Sequence, residues 1–388
     1  MRVGFYVGDI TPKEVGGGSV FQTNILNAIK NVDTKHEIYI FYKCKQDIFE
    51  DYKNINFVNL KAKKDFKYRI KKILGIHTTK LLNDFAKKYE IDLMYFFCVN
   101  YEKVDIPYFY TIWDLAHREN PFFPEVSTDN MAFENREKYY KQILPRASRI
   151  IIGNDEGKKQ IIKYYSINEK LVETIPMMTP ADVYTLSGDN SIIEKLNLTQ
   201  QKYIYYPAQF WSHKNHIRLL KELKKLKEQY FNIKLVFSGS DQGNMKYIKR
   251  KTKELGLDDD VIFAGFLKRE EVIALYENAF ALTYASYFGP DNIPPLEAMA
   301  LDCPVICSEF AGAHEQLQDC ALFFNPMTGE NFIESIKQLQ DNNFRELIIN
   351  KAKILAKQYN TENYVTKMFE VIDEFASIRE CWGNIYNE

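Results

Sequence analysis

The chain has 388 residues, 46% hydrophobic and 27% charged, with a formal net charge of −1, the make-up of a soluble globular protein with two or perhaps three domains. No apolar run approaches the roughly 18 residues of a membrane span, the opening MRVGFYVGDI lacks signal-peptide features, and six scattered cysteines (44, 98, 303, 307, 320, 381) form neither a zinc spacing nor a disulfide framework, so a reducing cytoplasm is expected. The charge is uneven, +5 over residues 1–180 and −6 over 181–388, which is either chance or a sign that only the front half meets an anionic partner.

Residues 2–7 (RVGFYV) read as a buried strand. Gly16-Gly17-Gly18-Ser19 then leads into VFQTNILNAI, a helical pattern with Phe21, Ile25, Leu26 and Ile29 on one face. EIYIFYK, NFVNL, LMYFFCV, YFYTIWD and RIIIGN follow as short apolar strands, with helical segments between several of them. Between the second and third of these, residues 61–82 hold seven basic residues in their first twelve, with Phe66, Ile70, Ile73, Leu74, His77 and Leu81 on a helical stripe. That pattern fits a peripheral contact with an anionic membrane, or a solvated helix packed on its domain. Past the polar, turn-rich ADVYTLSGDN, the alternation resumes with KYIYYPAQ, IKLVFSGS, VIFAGF, FALTYAS, PVICSE and ALFFNP. Alternating strands and helices predict α/β architecture with parallel sheets, here in two doubly wound domains joined near 180–200.

Ligands of such sheets bind beyond the strands' carboxyl ends. The Gly16–Ser19 loop could admit a phosphate to backbone N–H groups, or be a tight turn. In PAQFWSHKNH (207–216), Lys214 stands near a strand end, where it could neutralise a phosphate or be merely solvated. FSGSDQG (237–243) is a further small-residue loop, containing Gly239. In YFGPDNIPPLEAMALDCPVI (287–306), Asp291 or Asn292 can cap a helix that opens on Pro294 and Pro295. Its N-terminus would attract an anion, and Glu297, placed in its first turn, could accept two hydrogen bonds from a ribose diol or simply complement the helix dipole.

This last stretch, with YTIWDLAHRENPFFPEV, YPAQFWSHKNH, LVFSGS, VIFAGFLKREEV and AGAHEQLQDCALFFNP in order, resembles the family-4 glycosyltransferases over most of the chain. The resemblance implies the GT-B fold, two Rossmann-like domains with the donor cleft between them. It implies boundaries at 1–185 and 186–365, with a C-terminal helix, 366–388, crossing back to the first domain. It also implies transfer of a hexose from a GDP- or UDP-linked sugar to an acceptor hydroxyl, with retention, without a metal or resident cofactor. By position, Glu297 would hold the ribose and Lys214 the diphosphate, and Gly17 and Gly18 would close over it. Asn292 and Ile293 would touch phosphate and sugar, and Phe266 and Leu267 would line the base pocket. Gly239 joins these as a donor-side residue. Two places depart from the family: Gly289 stands where a glutamate would contact the sugar, leaving Asp291 as its substitute, and Gln209 replaces an arginine. Trp113 replaces a common histidine, which leaves Asp114 and His117 as the polar candidates for acceptor or sugar.

The diphosphate would leave, stabilised by Lys214 and the helix mouth, while the donor phosphate helps to remove the acceptor proton. The sequence assigns no general base. The reading is a cytoplasmic enzyme, peripheral at the inner membrane face, that builds surface polysaccharide or lipopolysaccharide on a glycan or lipid-linked acceptor. The motif variants look most like those of mannosyl- or related hexosyltransferases, and no nucleic acid is expected as a partner. A GT-B sugar-nucleotide epimerase and a non-catalytic nucleotide-sugar binding protein are the alternatives.

Overall fold

A computed structural model describes residues 1–9, 17–44, 55–60, 81–97, 101–128, 132–289 and 291–383. The first sheet contains β1 (Arg2–Asp9), β2 (Glu37–Lys43), β3 (Ile55–Asn59), β4 (Leu93–Phe96), β5 (Tyr108–Thr111), β6 (Arg149–Ile152) and β7 (Val172–Thr174). Their order is β3-β2-β1-β4-β5-β6-β7. The second contains β8 (Tyr203–Pro207), β9 (Lys234–Ser238), β10 (Val261–Gly265), β11 (Ala281–Tyr284), β12 (Val305–Ser308) and β13 (Leu322–Phe324). Their order is β10-β9-β8-β11-β12-β13. Every pairing between these strands is parallel. Strand order reverses at β1/β4 and at β8/β11, the switch points where such sheets open a crevice.

Strands buried on both faces explain the continuous apolar runs: β4, β5, β11 and β12 are buried throughout. The short β7 is absent from the sequence reading because VET is too brief and too polar to register as a strand. Phe21, Ile25, Leu26 and Ile29 of the helix Gly17–Ile29 all join one core beneath the first sheet. The same core takes in Tyr364, Met368, Phe369, Ile372 and Phe375 from the last helix, Thr361–Arg379. Phe369 meets Phe5 of β1 at 6.1 Å between ring centroids, and Phe375 meets Phe109 of β5 at 5.6 Å. The final helix therefore belongs to the first domain's packing, and it begins at Thr361.

The chain crosses between domains twice, side by side. At the crossing Thr179 donates its N–H to the Tyr359 carbonyl at 2.6 Å. Leu82, at the end of the basic stretch, is buried in the first domain's other core; residues 61–80 of that stretch lie outside the described residues. Among the described residues no helix is long and apolar enough to cross a membrane.

Candidate active site

Two connected depressions occupy the cleft between the domains. The deeper, about 690 Å³, is lined by Gly18, Gln209, Lys214, Gly239, Phe266, Leu267, Arg269, Asp291, Asn292, Ile293 and Glu297, among others. The outer one, about 350 Å³, is lined by Trp113, Asp114, Glu125, Arg136, His213, Lys214 and Asp291, among others. Nearly all the residues expected at the donor thus converge, although they come from five separate strand-to-loop junctions.

β8 ends at Pro207, and the chain makes one tight turn, Ser212–Lys214, before the helix His216–Glu228. Asn215 closes that turn at φ 56° and anchors it by donating its side-chain amide to the Pro326 carbonyl at 3.0 Å. Lys214 Nζ donates to Tyr284 Oη at 2.8 Å, and Tyr284 donates onward to Asn292 Oδ1 at 2.5 Å. Burial pushes the Lys214 ammonium down to about 8, although Asp114, Cys307 and Glu125 favour its charged form. Gly239, after β9, has φ 144°, and a Cβ there would stand 2.5 Å from the Ala208 carbonyl oxygen. Phe266 is 59% exposed at the rim of the cavity, so its ring face is available.

The helix Ile293–Ala300 differs from expectation in three ways. Asn292 is its N-cap, but its side chain makes no capping bond; the amide holds Tyr284 and donates to the Gly289 carbonyl at 2.8 Å. Of the first three helical residues only Ile293 carries an N–H, because prolines follow at 294 and 295. The Asn292 N–H is donated to Gln316 Oε1 at 3.0 Å. The helix mouth is therefore a poor source of donors, and Lys214 is the cation that lines the cavity beside it. Finally, Glu297 lies beyond the first turn and does not depend on the helix dipole. Arg269 Nη2 meets its Oε1 at 2.7 Å and Tyr276 Oη donates to its Oε2 at 2.9 Å. Arg269 also forms a two-pronged bond with Asp182, at 2.8 Å for each nitrogen. Each Glu297 oxygen keeps a lone pair for a further donor.

Across the cleft, Gly18 lies against Trp113: a Cβ there would be 2.6 Å from the indole Cη2. Gly17 is the first residue of the same helix. The buried Trp113 Nε1 has no hydrogen-bond partner. Asp114 accepts from Arg136 Nη2 at 3.0 Å and from the Ala116 N–H at 2.9 Å. Burial alone would raise its pKa, but Arg136 and that N–H outweigh it and hold the carboxyl below its ordinary value. His117 does not reach the cleft. Its ring is fully buried, Nε2 meets Glu137 Oε1 at 2.9 Å, and burial lowers its pKa to about 4. It belongs to a polar knot with Arg118, Glu137 and Tyr165 that fixes the loop after β5. The expectation that His117 touches acceptor or sugar is corrected accordingly; one helical turn carries Asp114 to the cleft and turns His117 inward.

Asp291 packs its carboxyl against Gly153 of the first domain, where a Cβ would overlap it. Burial and the neighbouring Glu315 raise its pKa to about 7. Glu315 reaches across as well, accepting the Asp155 N–H at 2.7 Å at the start of the helix Asp155–Tyr165. The side chains that sequence reasoning missed are Arg269, Tyr284, Arg136, Glu125 and His213. The cations that line the deeper cavity, Lys214, Lys268 and Arg269, all come from the acidic half of the chain. Among the described residues no group of three or more His, Cys, Asp or Glu could hold a metal ion.

Residues 189–360 match the sequence profile of the family described as "Glycosyl transferases group 1". That part of the chain is similar to the group 1 glycosyl transferases. The chain is also similar to the O-antigen chain mannosyltransferase RfbU of Salmonella typhimurium, 28% identical over 52% of this chain and 54% of that one, and to O-antigen chain mannosyltransferase B of Escherichia coli, 26% identical over 60% and 62%. The chain thus spans little more than half the length of these relatives. Solved structures extend the likeness in fold to nearly the whole chain. Sucrose-phosphate synthase from Thermosynechococcus elongatus superposes with a TM-score of 0.75 at 16% identity, covering 97% of this chain and all of that one. WaaG, a glycosyltransferase involved in lipopolysaccharide biosynthesis, gives 0.67 at 17% identity, over 95% and 99%. Anabaena HepE, in complex with UDP and glucose, gives 0.70 at 13% identity, over 96% and 100%. At these identities the likeness establishes the fold, which is GT-B.

Proposed function

We propose that the protein transfers a hexose from a nucleoside-diphosphate sugar to a hydroxyl of a glycan or lipid-linked acceptor during assembly of a bacterial surface polysaccharide. The observation that carries this reading is the interdomain cavity in which Lys214, the Arg269–Glu297 pair and the exposed Phe266 ring face one another. Lys214 supplies charge for a departing diphosphate, Glu297 accepts ribose hydroxyls, and Phe266 offers a stacking face to the base. The mannosyltransferase names of the curated relatives, and the UDP and glucose of the HepE complex, support the same reading. The donor is GDP- or UDP-linked, transfer proceeds with retention, and neither a metal nor a resident cofactor takes part. Thermal melts with UDP, GDP, UDP-glucose and GDP-mannose test it, since a ligand that binds the folded state raises Tm by mass action. A rise with one nucleotide series, together with release of its nucleoside diphosphate, is expected. No rise with any of the four would remove the reading.

The enzyme would work in the cytoplasm at the inner membrane face, held by the basic stretch 61–82. Each basic residue near an anionic surface contributes about 1 kcal/mol. Replacing Lys63, Lys64, Lys71 and Lys72 by Gln should therefore release the protein from anionic vesicles at low salt. Equal co-sedimentation of variant and wild type would assign the stretch to a solvated surface.

A further inference from the structure

We infer that His213, held by Glu125 from the opposite domain, is the base that removes the proton from the acceptor hydroxyl; this rests on the transferase reading above. The sequence left that proton to the donor phosphate, because nothing local links residues 125 and 213. In the folded chain they meet across the cleft. His213 Nδ1 is hydrogen-bonded to Glu125 Oε1, and the same oxygen accepts the His213 backbone N–H at 3.0 Å. Both side chains are largely buried, 12% and 11% exposed.

The pair is held from several sides. The His213 ring stacks on Phe288 at 4.2 Å and 17°, and Phe123 closes against it at 6.2 Å. The Tyr287 N–H is donated to the His213 carbonyl at 2.9 Å. A carboxylate on Nδ1 makes that nitrogen the N–H and leaves the lone pair on Nε2. Nε2 has no hydrogen bond to any described residue, and His213 lines both the deeper and the outer depression. It stands where a hydroxyl entering from the first domain would meet a sugar held beside Lys214. The charged groups acting on the imidazole are Glu125 and Asp114 from the first domain and Lys214 from its own turn; burial, the largest influence, lowers its pKa below the ordinary 6.5.

The step balances without a co-reactant. The acceptor O–H bond breaks and its proton passes to Nε2. The bond from the anomeric carbon to the diphosphate breaks, its electron pair leaving with the nucleoside diphosphate beside Lys214, and the acceptor oxygen bonds to that carbon on the face the diphosphate vacates, so that configuration is retained. Glu125 stabilises the imidazolium until the proton returns to water. His213 is thus the catalytic residue and Glu125 the positioning residue.

The test uses the full chain with UDP-glucose and GDP-mannose as donors and water or methyl α-mannoside as acceptors. It follows nucleoside diphosphate release against pH, with calorimetry of UDP and GDP binding alongside. His213→Asn should lower turnover by about 10²–10⁴-fold, the usual contribution of a general base, and abolish the acidic limb of the pH profile. Its nucleotide affinity should stay within about threefold of wild type. Glu125→Gln should move that limb to lower pH, because the lost carboxylate favours the imidazolium; a purely structural contact would leave the limb in place. If His213→Asn melts early, the Glu125→Gln limb decides. An unmoved acidic limb in both variants, with wild-type transfer intact, overturns the base and spares the transferase reading. A wild type that binds nucleotide yet consumes neither donor overturns both.

Discussion

Lys214 shows how one side chain can be legible in the sequence while its chemistry is not. Its place after β8 suggests the phosphate contact proposed for it, but its depressed pKa of about 8 arises from burial, with Nζ held on Tyr284 Oη. A lysine whose folded pKa lies below its ordinary 10.5 loses its charge as pH rises through about 8. Nucleotide affinity should therefore weaken between pH 7 and 9, and calorimetry of UDP and GDP across that range checks it. Lys214→Ala should reduce turnover about 10²–10³-fold, as on losing one preorganised donor to a developing charge; a loss below about threefold at saturating donor would count against the role. Glu297 is a second case. Its position is readable from the motif, but Arg269, which neutralises it, sits 28 residues earlier on another helix. Arg269→Ala would leave a buried carboxylate unpaired and should cost about 3–5 kcal/mol in urea unfolding. Glu297→Gln keeps Arg269 paired with Asp182 and should weaken nucleotide binding more than stability, a contrast that separates ligand contact from scaffold.

Among the elements, those with a strong period are the ones the sequence reveals. β2 runs over Glu37–Lys43 as the EIYIFYK pattern suggests, and the helix Gly17–Ile29 buries the four residues on its predicted stripe. The last helix is amphipathic by sequence, but only packing shows which core receives its apolar face. Phe369 is 6% exposed and lies against Phe5, some 364 residues away. Phe369→Ala should destabilise the protein by about 3–5 kcal/mol through the lost transfer energy and the cavity left behind. Because its neighbours are first-domain strands, amide exchange in β1 should accelerate with it. Protection of β1 unchanged while the second domain loosens would contradict the assignment of this helix to the first core.

For the whole molecule, the contact between domains is where ionisation and stability couple. Asp291 enters the first domain at Gly153, and Glu315 holds the helix Asp155–Tyr165 by its N-terminus. The folded pKa of Asp291, raised to about 7 by burial and by Glu315, exceeds its ordinary value of 3.8. The folded state thus holds this proton more tightly than the unfolded chain, and stability is lost as pH rises from about 4 to about 7. Asp291→Asn lacks that loss, so its Tm should exceed that of wild type by a margin that grows over this range and is constant above it. A Tm difference that does not vary with pH would exclude such a coupling.

The sequence by itself determined the alternation of strands and helices, the two-domain α/β class, and the junctions at Gly18, Lys214, Gly239 and Asn292 that turn towards a ligand. Those are local properties: burial on both faces writes a continuous apolar run, and a strand end beside a helix start writes its own glycines and prolines. Tertiary structure alone decided that His117 turns inward to Glu137 while Asp114 faces the cleft, that the Asn292 side chain is spent on Tyr284 and Gly289 rather than on a cap, and that Glu125 meets His213 across 88 residues of chain. Such pairings depend on how two separately packed cores are set against each other. No period or spacing within either half encodes that placement, because the energy fixing it comes from the interdomain contacts themselves.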